Sequence, residues 1–220
     1  MVESERVLVT GGSGYIASFC IAQLLQEGSQ VSTTVRSLAR EAEVRAAVRK
    51  VVKADDRLKV VVADLNADAG WREACSDCSG VLHVASPFPT RNPRNDDELV
   101  RPARDGALRV LKAARDAGVR WVVMTSSTAA VAYGHGGRSQ PFTEADWSDP
   151  SDRTDSSAYE RSKMIAERAA WDWHSREGGA LELVTICPGA VIGPVLGGDF
   201  SASLDIVKKL IGIDPVWWTP

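Results

Sequence analysis

The amino-acid sequence predicts an α/β fold: a doubly wound parallel β-sheet flanked by helices. Short β-branched runs alternate with helical stretches through residues 6–125, and the alternation resumes over 158–187. The strand runs are apolar almost throughout, which is typical of parallel strands covered on both faces. A glycine-rich turn over residues 10–17 joins the first strand to the first helix.

Each element has its own sequence signal. The β-branched runs predict strands at Arg6–Thr10, Gln30–Val35, Leu58–Ala63, Gly80–Ala85, Val119–Thr125 and Leu181–Cys187. Helical periodicity predicts helices at Tyr15–Glu27, Leu38–Lys53, Asp96–Ala117 and Ala158–Glu177. Gly28 marks the end of the first helix. Residues 132–157 are rich in Gly, Ser, Asp and Pro, which predicts a long loop that is either functional or disordered.

Charge and composition exclude several classes of function. The chain has 26 Lys and Arg against 29 Asp and Glu, so its net charge of −3 offers no basic surface for nucleic acid or a membrane. The first residues are polar and acidic, unlike a signal peptide, and no apolar run is long enough to span a bilayer. We therefore expect a cytoplasmic protein.

The cysteines and histidines predict no metal site. Four cysteines are spread along the chain, at Cys20, Cys75, Cys78 and Cys187. Cys75 and Cys78 form a single CxxC pair without a second pair or a nearby His, so ordinary thiols are favoured over a zinc or redox site. His135 and His174 have no partners at metal-ligand spacing, and His83 on an apolar strand is expected to be a core residue.

The glycine-rich turn predicts a site for the pyrophosphate of a dinucleotide. Gly11 permits the tight turn, Gly14 lets the backbone approach the phosphates, and Ala17 is small enough for the helix to pack on the strand. The helix N-terminus adds N–H groups and a partial positive charge. A plain tight turn is the alternative, but the strand–turn–helix context favours a Rossmann-type site. The predicted contacts are Gly11, Gly12, Ser13, Gly14, Tyr15 and Ile16.

The residues after the second strand indicate which dinucleotide is bound. A carboxylate at this point pairs with the ribose of NAD, whereas Arg suits the 2′-phosphate of NADP. Here the strand is followed by Arg36, with Arg40 one turn further on. Arg gives planar, bidentate phosphate contacts, so the pair favours NADP over NAD. The alternative is that both are solvated residues at a helix start.

Three side chains form a candidate catalytic set. Tyr159 and Lys163 are four residues apart and hence share one helix face, where the cation can lower the pKa of the phenol. Such a pair is also common on helix surfaces. Thr125-Ser126-Ser127 ends the fifth strand at the edge where a doubly wound sheet binds ligands, although both serines can also be turn formers.

The order TGGSGYIA, TVR, ADL, HVASP, TSS, YxxxK and PGAVIGP resembles the extended short-chain dehydrogenase/reductase family, in the NAD-dependent epimerase/dehydratase superfamily. The likeness extends over about the first 200 residues. It is strongest to the NADP-dependent dihydroflavonol, aldehyde and ketone reductases. The resemblance implies an oxidoreductase that uses NADPH to reduce the carbonyl of a small molecule.

The resemblance also implies roles for individual residues. Ser127 matches the catalytic Ser, with Ser126 as the second choice, and Tyr159 matches the general acid. Lys163 matches the residue that holds the nicotinamide ribose and lowers the pKa of the Tyr. Further cofactor contacts are implied at Arg36, Arg40, Asp64, Leu65, Ala85, Ser86, Tyr159, Lys163, Pro188 and Val191.

Two alternatives to a reductase stay open on the sequence. A sugar-nucleotide epimerase or dehydratase would retain NAD, which Arg36 and Arg40 oppose. A non-catalytic module that only binds NADP is the other, since family members continue past Pro220 with elements that close the substrate pocket. We expect residues 1–195 to form the NAD(P)-binding domain with the catalytic set, and 196–220 to begin an incomplete substrate-binding region. The resemblance also allows a homodimer.

Overall fold

The computed structural model describes residues 5–53, 55–87 and 95–199, together with 203, 204 and 207. Its strands are β1 (Arg6–Val9), β2 (Gln30–Val35), β3 (Leu58–Val62), β4 (Cys78–His83), β5 (Trp121–Thr125) and β6 (Glu182–Ile186). They form one parallel sheet in the order β3-β2-β1-β4-β5-β6. The order reverses between β1 and β4, so the predicted doubly wound, Rossmann-type fold is confirmed.

The helices are α1 (Tyr15–Gln26), α2 (Glu41–Arg49), α3 (Trp71–Cys75), α4 (Asp97–Asp116) and α5 (Ala158–Glu177). The predicted bounds of β2 and α5 match the structure, but the single helix predicted over Leu38–Lys53 is wrong. The Ser37 hydroxyl accepts a hydrogen bond from the Ala39 N–H at 3.3 Å, which starts a separate 3₁₀ turn, and α2 ends at Arg49. The sequence analysis did not predict α3, which has only five residues.

Two apolar cores lie on opposite faces of the sheet. Successive strand residues point to opposite faces, so Leu8 and Val9 of β1 belong to different cores. Leu8 packs with residues of α3, α4 and α5, including the fully buried Leu111. Val9 packs with α1 and α2 through Ile21 and Val44. Helices therefore cover both faces, as the apolar strand runs predict.

The CxxC pair lies in the first of these cores. Cys75 ends α3 and Cys78 begins β4, both are buried, and both are free thiols. Burial raises the pKa of the Cys75 thiol to about 12, which keeps it protonated and unreactive. In the described part of the chain, no cluster of His, Cys, Asp and Glu could hold a metal ion. None of the described helices is long and apolar enough to cross a bilayer.

The central strands β1 and β4 are joined at their carboxyl ends by one buried hydroxyl. Thr10 Oγ1 accepts hydrogen bonds from the N–H groups of Val84 and Ala85 at 3.0 and 2.9 Å. It lies 2.9 Å from His83 Nδ1, and since both its acceptor positions are used, its proton is donated to that nitrogen. Sequence analysis placed His83 in the core but did not predict this network around Thr10.

The predicted boundary between residues 195 and 196 stays a prediction, because most of 196–220 lies outside the described residues. The homodimer, which the resemblance allows, also stays a prediction.

Helices α4 and α5 pack against each other, and each buries one face.

The close approach of β4 to β5 at Gly80 gives a test of packing. A Cβ at Gly80 would lie 2.0 Å from Cζ2 of Trp121. Gly80→Ala should therefore lower the free energy of unfolding in urea by about 1–3 kcal/mol. Gly137→Ala is the control, because a Cβ there meets no atom within 4 Å, and it should change stability by less than about 0.5 kcal/mol. Equal stability of both variants would contradict the packing at Gly80.

His83 gives a pH-dependent test of the same region. Burial, and then the charge of Lys163, lowers its pKa from 6.5 to about 4. In the unfolded chain, His83 is protonated below about pH 6.5. In the folded protein, it is protonated only below about pH 4. The contribution of His83 to the free energy of unfolding is therefore fully present above pH 6.5. Roughly 3 kcal/mol of it is lost as the pH falls from 6.5 to 4.

The measurement is the free energy of unfolding in urea at pH 7, 6, 5 and 4. His83→Gln cannot titrate, so its loss of stability between pH 7 and pH 4 should be smaller than that of the wild type. If the free energy of unfolding falls equally with pH in both proteins, His83 does not titrate as its burial requires.

Candidate active site

The predicted site residues come together along one edge of the sheet. All strands are parallel, so the residues that follow them leave the sheet on the same side. This edge carries a predicted site residue after every strand, in chain order Gly11, Arg36, Asp64, Ser86, Ser127 and Pro188. The topology thus assembles into one groove residues that are far apart in the chain.

The glycine turn is held tightly against β2. The N–H of Gly11 donates to Thr34 Oγ1 and the N–H of Gly12 to the Thr34 carbonyl, both at 2.9 Å. Gly11 has φ of +73°, which favours glycine, and a Cβ at Gly12 would lie 2.3 Å from Thr33 Oγ1. The packing role of Gly12 is not evident from the glycine motif alone, and the polar residues of β2 are the sequence signal that points to it.

The start of α1 is open to an anionic ligand. Gly14 is its N-cap, and no side chain of the described residues caps its first turn. The N–H groups of that turn and the helix dipole can therefore meet a phosphate. Ser13, Gly14 and Tyr15 line a shallow cavity here, while Ile16 is half-buried on the helix. Glu43 and Asp199 line the same cavity from the other side.

The two arginines after β2 differ in their surroundings. Arg36 is exposed and makes no hydrogen bond or ion pair with the described residues. Arg40 is bound by the Glu43 carboxylate, through Nε at 2.9 Å and Nη2 at 3.0 Å. This hydrogen bonding, with the added charges of Glu43 and Asp199, raises the pKa of Arg40. Of these two arginines, Arg36 is therefore the one whose guanidinium is not engaged by the described residues and can meet a 2′-phosphate.

Asp64 and Leu65 lie beside this position, after β3. The Asp64 carboxylate accepts hydrogen bonds from the backbone N–H of Asn66 at 2.9 Å and from its amide Nδ2 at 3.1 Å. The Asp64 carbonyl accepts one from the indole of Trp71 at 3.0 Å. Leu65 packs closely on Gly106 of α4, where a Cβ would lie 2.9 Å from its own Cβ. Both residues are thus fixed at the rim of the groove.

The segment after β4 meets the glycine turn on one side and α5 on the other. A Cβ at Gly11 would lie 3.0 Å from the Cβ of Ala85, so the two backbones are almost in contact. The next residue, Ser86, accepts a hydrogen bond from Lys163 Nζ at 2.9 Å. Burial lowers the pKa of Lys163 to about 8, and its ammonium group still predominates at neutral pH.

Tyr159 lies between Lys163 and Ser127. The Lys163 Nζ is 5.8 Å from the centre of the Tyr159 ring, and Tyr159 and Ser127 share a hydrogen bond between their hydroxyl groups. The Ser127 hydroxyl also accepts a hydrogen bond from the N–H of Ala129 at 3.1 Å. The three predicted catalytic side chains are therefore together.

The expectation that Lys163 lowers the pKa of Tyr159 is wrong for this structure. Burial raises that pKa, the Ser127 hydrogen bond opposes the rise, and Glu160 and Tyr133 add to it. Desolvation disfavours the phenolate, and the Lys163 ammonium lies over the ring face. Tyr159 is therefore protonated at neutral pH, as a general acid must be.

The structure distinguishes the two serines after β5. Ser126 is buried, and its hydroxyl donates to the Glu167 carboxylate. Ser127 is in extended backbone, so its side chain points the opposite way, toward Tyr159. The geometry favours Ser127 over Ser126 as the residue that contacts a substrate.

The segment after β6 completes the groove. The Pro188 carbonyl accepts a hydrogen bond from the N–H of Thr128 at 3.0 Å, which holds this segment beside Ser127. The N–H of Val191 donates to the Ser203 hydroxyl at 3.1 Å. Pro188 therefore lies beside Ser127, and Val191 is held by its contact with Ser203.

Comparison with known sequences identifies relatives among plant reductases. The chain is 36% identical over 213 residues to tetraketide alpha-pyrone reductase 1 of Arabidopsis thaliana. It is 39% identical over 216 residues to cinnamoyl-CoA reductase 1 of Petunia hybrida. These matches take in 94% and 96% of this chain but 64% and 62% of the relatives, so the chain spans less than two thirds of their length.

Comparison with solved structures gives the same fold. The chain superposes on yeast methylglyoxal/isovaleraldehyde reductase Gre2 complexed with NADPH, with a TM-score of 0.81 and 27% identity. This match takes in 98% of the present chain and 68% of the yeast chain. The model of one sequence family also matches residues 7–208, nearly the whole chain. The chain therefore belongs to the NAD dependent epimerase/dehydratase family.

Proposed function

We propose that this protein is an NADPH-dependent reductase that converts the carbonyl group of a small aldehyde or ketone to an alcohol. The observation that supports the proposal is the proximity of Ser127, Tyr159 and Lys163 to one another, at the same sheet edge as the glycine turn. The named relatives are reductases, and the yeast structure contains NADPH.

The groove has the features that a dinucleotide needs. Gly11 and Gly12 let the turn pack closely against Ala85 and Thr33, and the open start of α1, capped by Gly14, supplies N–H donors for the pyrophosphate. Exposed Arg36 would meet the 2′-phosphate, with Arg40 available if it exchanges part of its contact with Glu43. The remaining proposed contacts are Ser13, Tyr15, Ile16, Asp64, Leu65, Ala85, Ser86, Pro188 and Val191. When bound, NADPH supplies the hydride for the carbonyl carbon.

The chain's own residues handle the oxygen of the substrate. Ser127 hydrogen-bonds the carbonyl oxygen and polarises it. Tyr159, held protonated by burial, donates its proton to that oxygen as the alcohol forms. Lys163 is fixed by Ser86, and its ammonium group would hold the nicotinamide ribose of the cofactor beside Tyr159.

Removal of the proton donor tests the function. In Tyr159→Phe the carbonyl oxygen has no acid, so kcat for NADPH-dependent reduction of a carbonyl panel should fall about 10²–10⁴-fold. The dissociation constant for NADPH, followed by its fluorescence, should stay within about threefold of the wild type, because the phenol adds no phosphate contact. A variant with full activity would refute the proposed role of Tyr159.

Charge removal after β2 tests the choice of cofactor. Arg36→Ala should weaken NADPH about 10–100-fold, the contribution of a charge-assisted pair, and leave NADH unchanged. The control is Arg49→Ala, which removes an exposed Arg at the end of α2 and should leave both dissociation constants unchanged. Equal weakening of NADPH and NADH by Arg36→Ala would show that Arg36 does not read the 2′-phosphate.

A second candidate is an epimerase or dehydratase that retains NAD. It is favoured by one observation, that Glu43 already binds Arg40 and so leaves a single guanidinium for the 2′-phosphate. NAD that stays bound through purification, found by mass spectrometry of the denatured protein, would support this candidate over the reductase. A protein that binds NADPH without turnover of any carbonyl would instead be a non-catalytic binding module.

A further inference from the structure

Glu167 is a buried carboxylate on α5, one helical turn beyond Lys163. Only 5% of its surface is exposed, and it has no ion pair among the described residues. A carboxylate is costly to bury unless several donors surround it. Its donors are the hydroxyl of Ser126, the indole of Trp171 at 3.3 Å and the thiol of Cys187 at 3.6 Å.

These donors come from the elements that carry the catalytic residues. Ser126 precedes Ser127 at the end of β5, and Cys187 precedes Pro188 at the end of β6. The two strand ends are also joined by the backbone, from the N–H of Ser126 to the Ile186 carbonyl at 2.7 Å. One carboxylate therefore ties both strand ends to the helix that carries Tyr159 and Lys163.

We propose that Glu167 is a positioning residue, whose carboxylate holds the ends of β5 and β6 at a fixed distance from α5. It thereby sets the separation between the Ser127 hydroxyl and the Tyr159 phenol. Neither hydroxyl touches Glu167, so its effect on catalysis is indirect. The expected effect on kcat rests on the proposed reductase function. The contact between Glu167 and Cys187 can be tested in a protein that has no activity.

The kinetic test replaces the carboxylate with its isostere. In Glu167→Gln an N–H donor replaces one acceptor oxygen, so either Trp171 or the pair Ser126 and Cys187 loses its acceptor, the strand ends shift and kcat should fall about 10–100-fold. The dissociation constant for NADPH should stay within about twofold, because the glycine turn is not involved. Asp172→Asn is the matched control: it neutralises an exposed carboxylate on the same helix and should leave kcat unchanged.

A double variant separates positioning from general destabilisation. If Glu167 acts through Ser126, Glu167→Gln combined with Ser126→Ala should lose no more kcat than the stronger single variant. Multiplicative losses, or a fall in kcat that matches the loss of folded protein in a thermal melt, would overturn the proposal. A kcat of Glu167→Gln within twofold of the wild type would overturn it as well.

The second test uses Cys187 and needs no catalysis. Burial is the largest cause that raises the pKa of its thiol, and the charge and hydrogen bond of Glu167 add to the rise, while Ser126 and the Ser127 backbone oppose it. Glu167→Gln should therefore speed alkylation of Cys187 by iodoacetamide at pH 7.5 roughly three- to tenfold. Mass spectrometry of the Cys187 peptide gives the rate, with Asp172→Asn unchanged.

The two tests separate this inference from the reductase proposal. A wild type that reduces no carbonyl, together with faster Cys187 alkylation in Glu167→Gln, would refute the proposed function and support the placement of Glu167. An alkylation rate that does not change in Glu167→Gln would overturn the inference, whether or not the protein is a reductase.

Discussion

The groove depends on the buried hydroxyl of Thr10, which joins β1 to β4 where the strand order of the sheet reverses. The hydroxyl accepts two backbone N–H groups and donates its proton to His83, so all of its hydrogen bonds are satisfied. With the ends of β1 and β4 fixed in this way, Gly11 and Ala85 are held almost in contact. A dinucleotide that crosses the edge of the sheet at this point needs both backbone segments to lie close to the strand ends and to keep fixed positions. A valine at position 10 would keep the volume but leave the two N–H groups and the His83 nitrogen without partners.

His83, which accepts this hydrogen bond, lies beside the proposed catalytic residues. Because His83 accepts the Thr10 proton at Nδ1 and has a pKa of about 4, it is neutral near pH 7. A neutral ring does not compete with Lys163 for anionic groups, whereas a second cation would lower the pKa of Lys163 further. Lys163 therefore provides a positive charge beside Tyr159, whose own pKa is raised by burial. At neutral pH the pair therefore consists of a protonated phenol and an ammonium group that lies over its ring.

The fold and the members of the groove could be predicted because they follow from local patterns. Apolar strands and a strand–turn–helix glycine motif indicate a parallel sheet. In such a sheet the residues that follow the strands, Gly11 and Ser127 among them, all lie on one edge. Contacts that depend on tertiary packing could not be predicted. The pairing of Arg40 with Glu43 depends on where the 3₁₀ turn gives way to α2, and α3 is too short to show helical periodicity. The direction of the Tyr159 pKa shift depends on burial, which the spacing of Tyr159 and Lys163 does not reveal.

The roles of the adjacent serines also depend on tertiary structure. In extended backbone, neighbouring side chains point to opposite sides, so only one of Ser126 and Ser127 can face the substrate. Ser127 reaches Tyr159, whereas Ser126 reaches Glu167, one turn beyond Lys163 on the same helix. Residues 159, 163, 167 and 171 are spaced by four and form one stripe along α5. The first two carry the proposed chemistry, Glu167 binds the strand end that brings Ser127 to them, and Trp171 donates to Glu167. One face of α5 therefore carries both the proposed catalytic pair and the carboxylate that binds the end of β5. A substitution at either end of this face should shift the side chains at the other end.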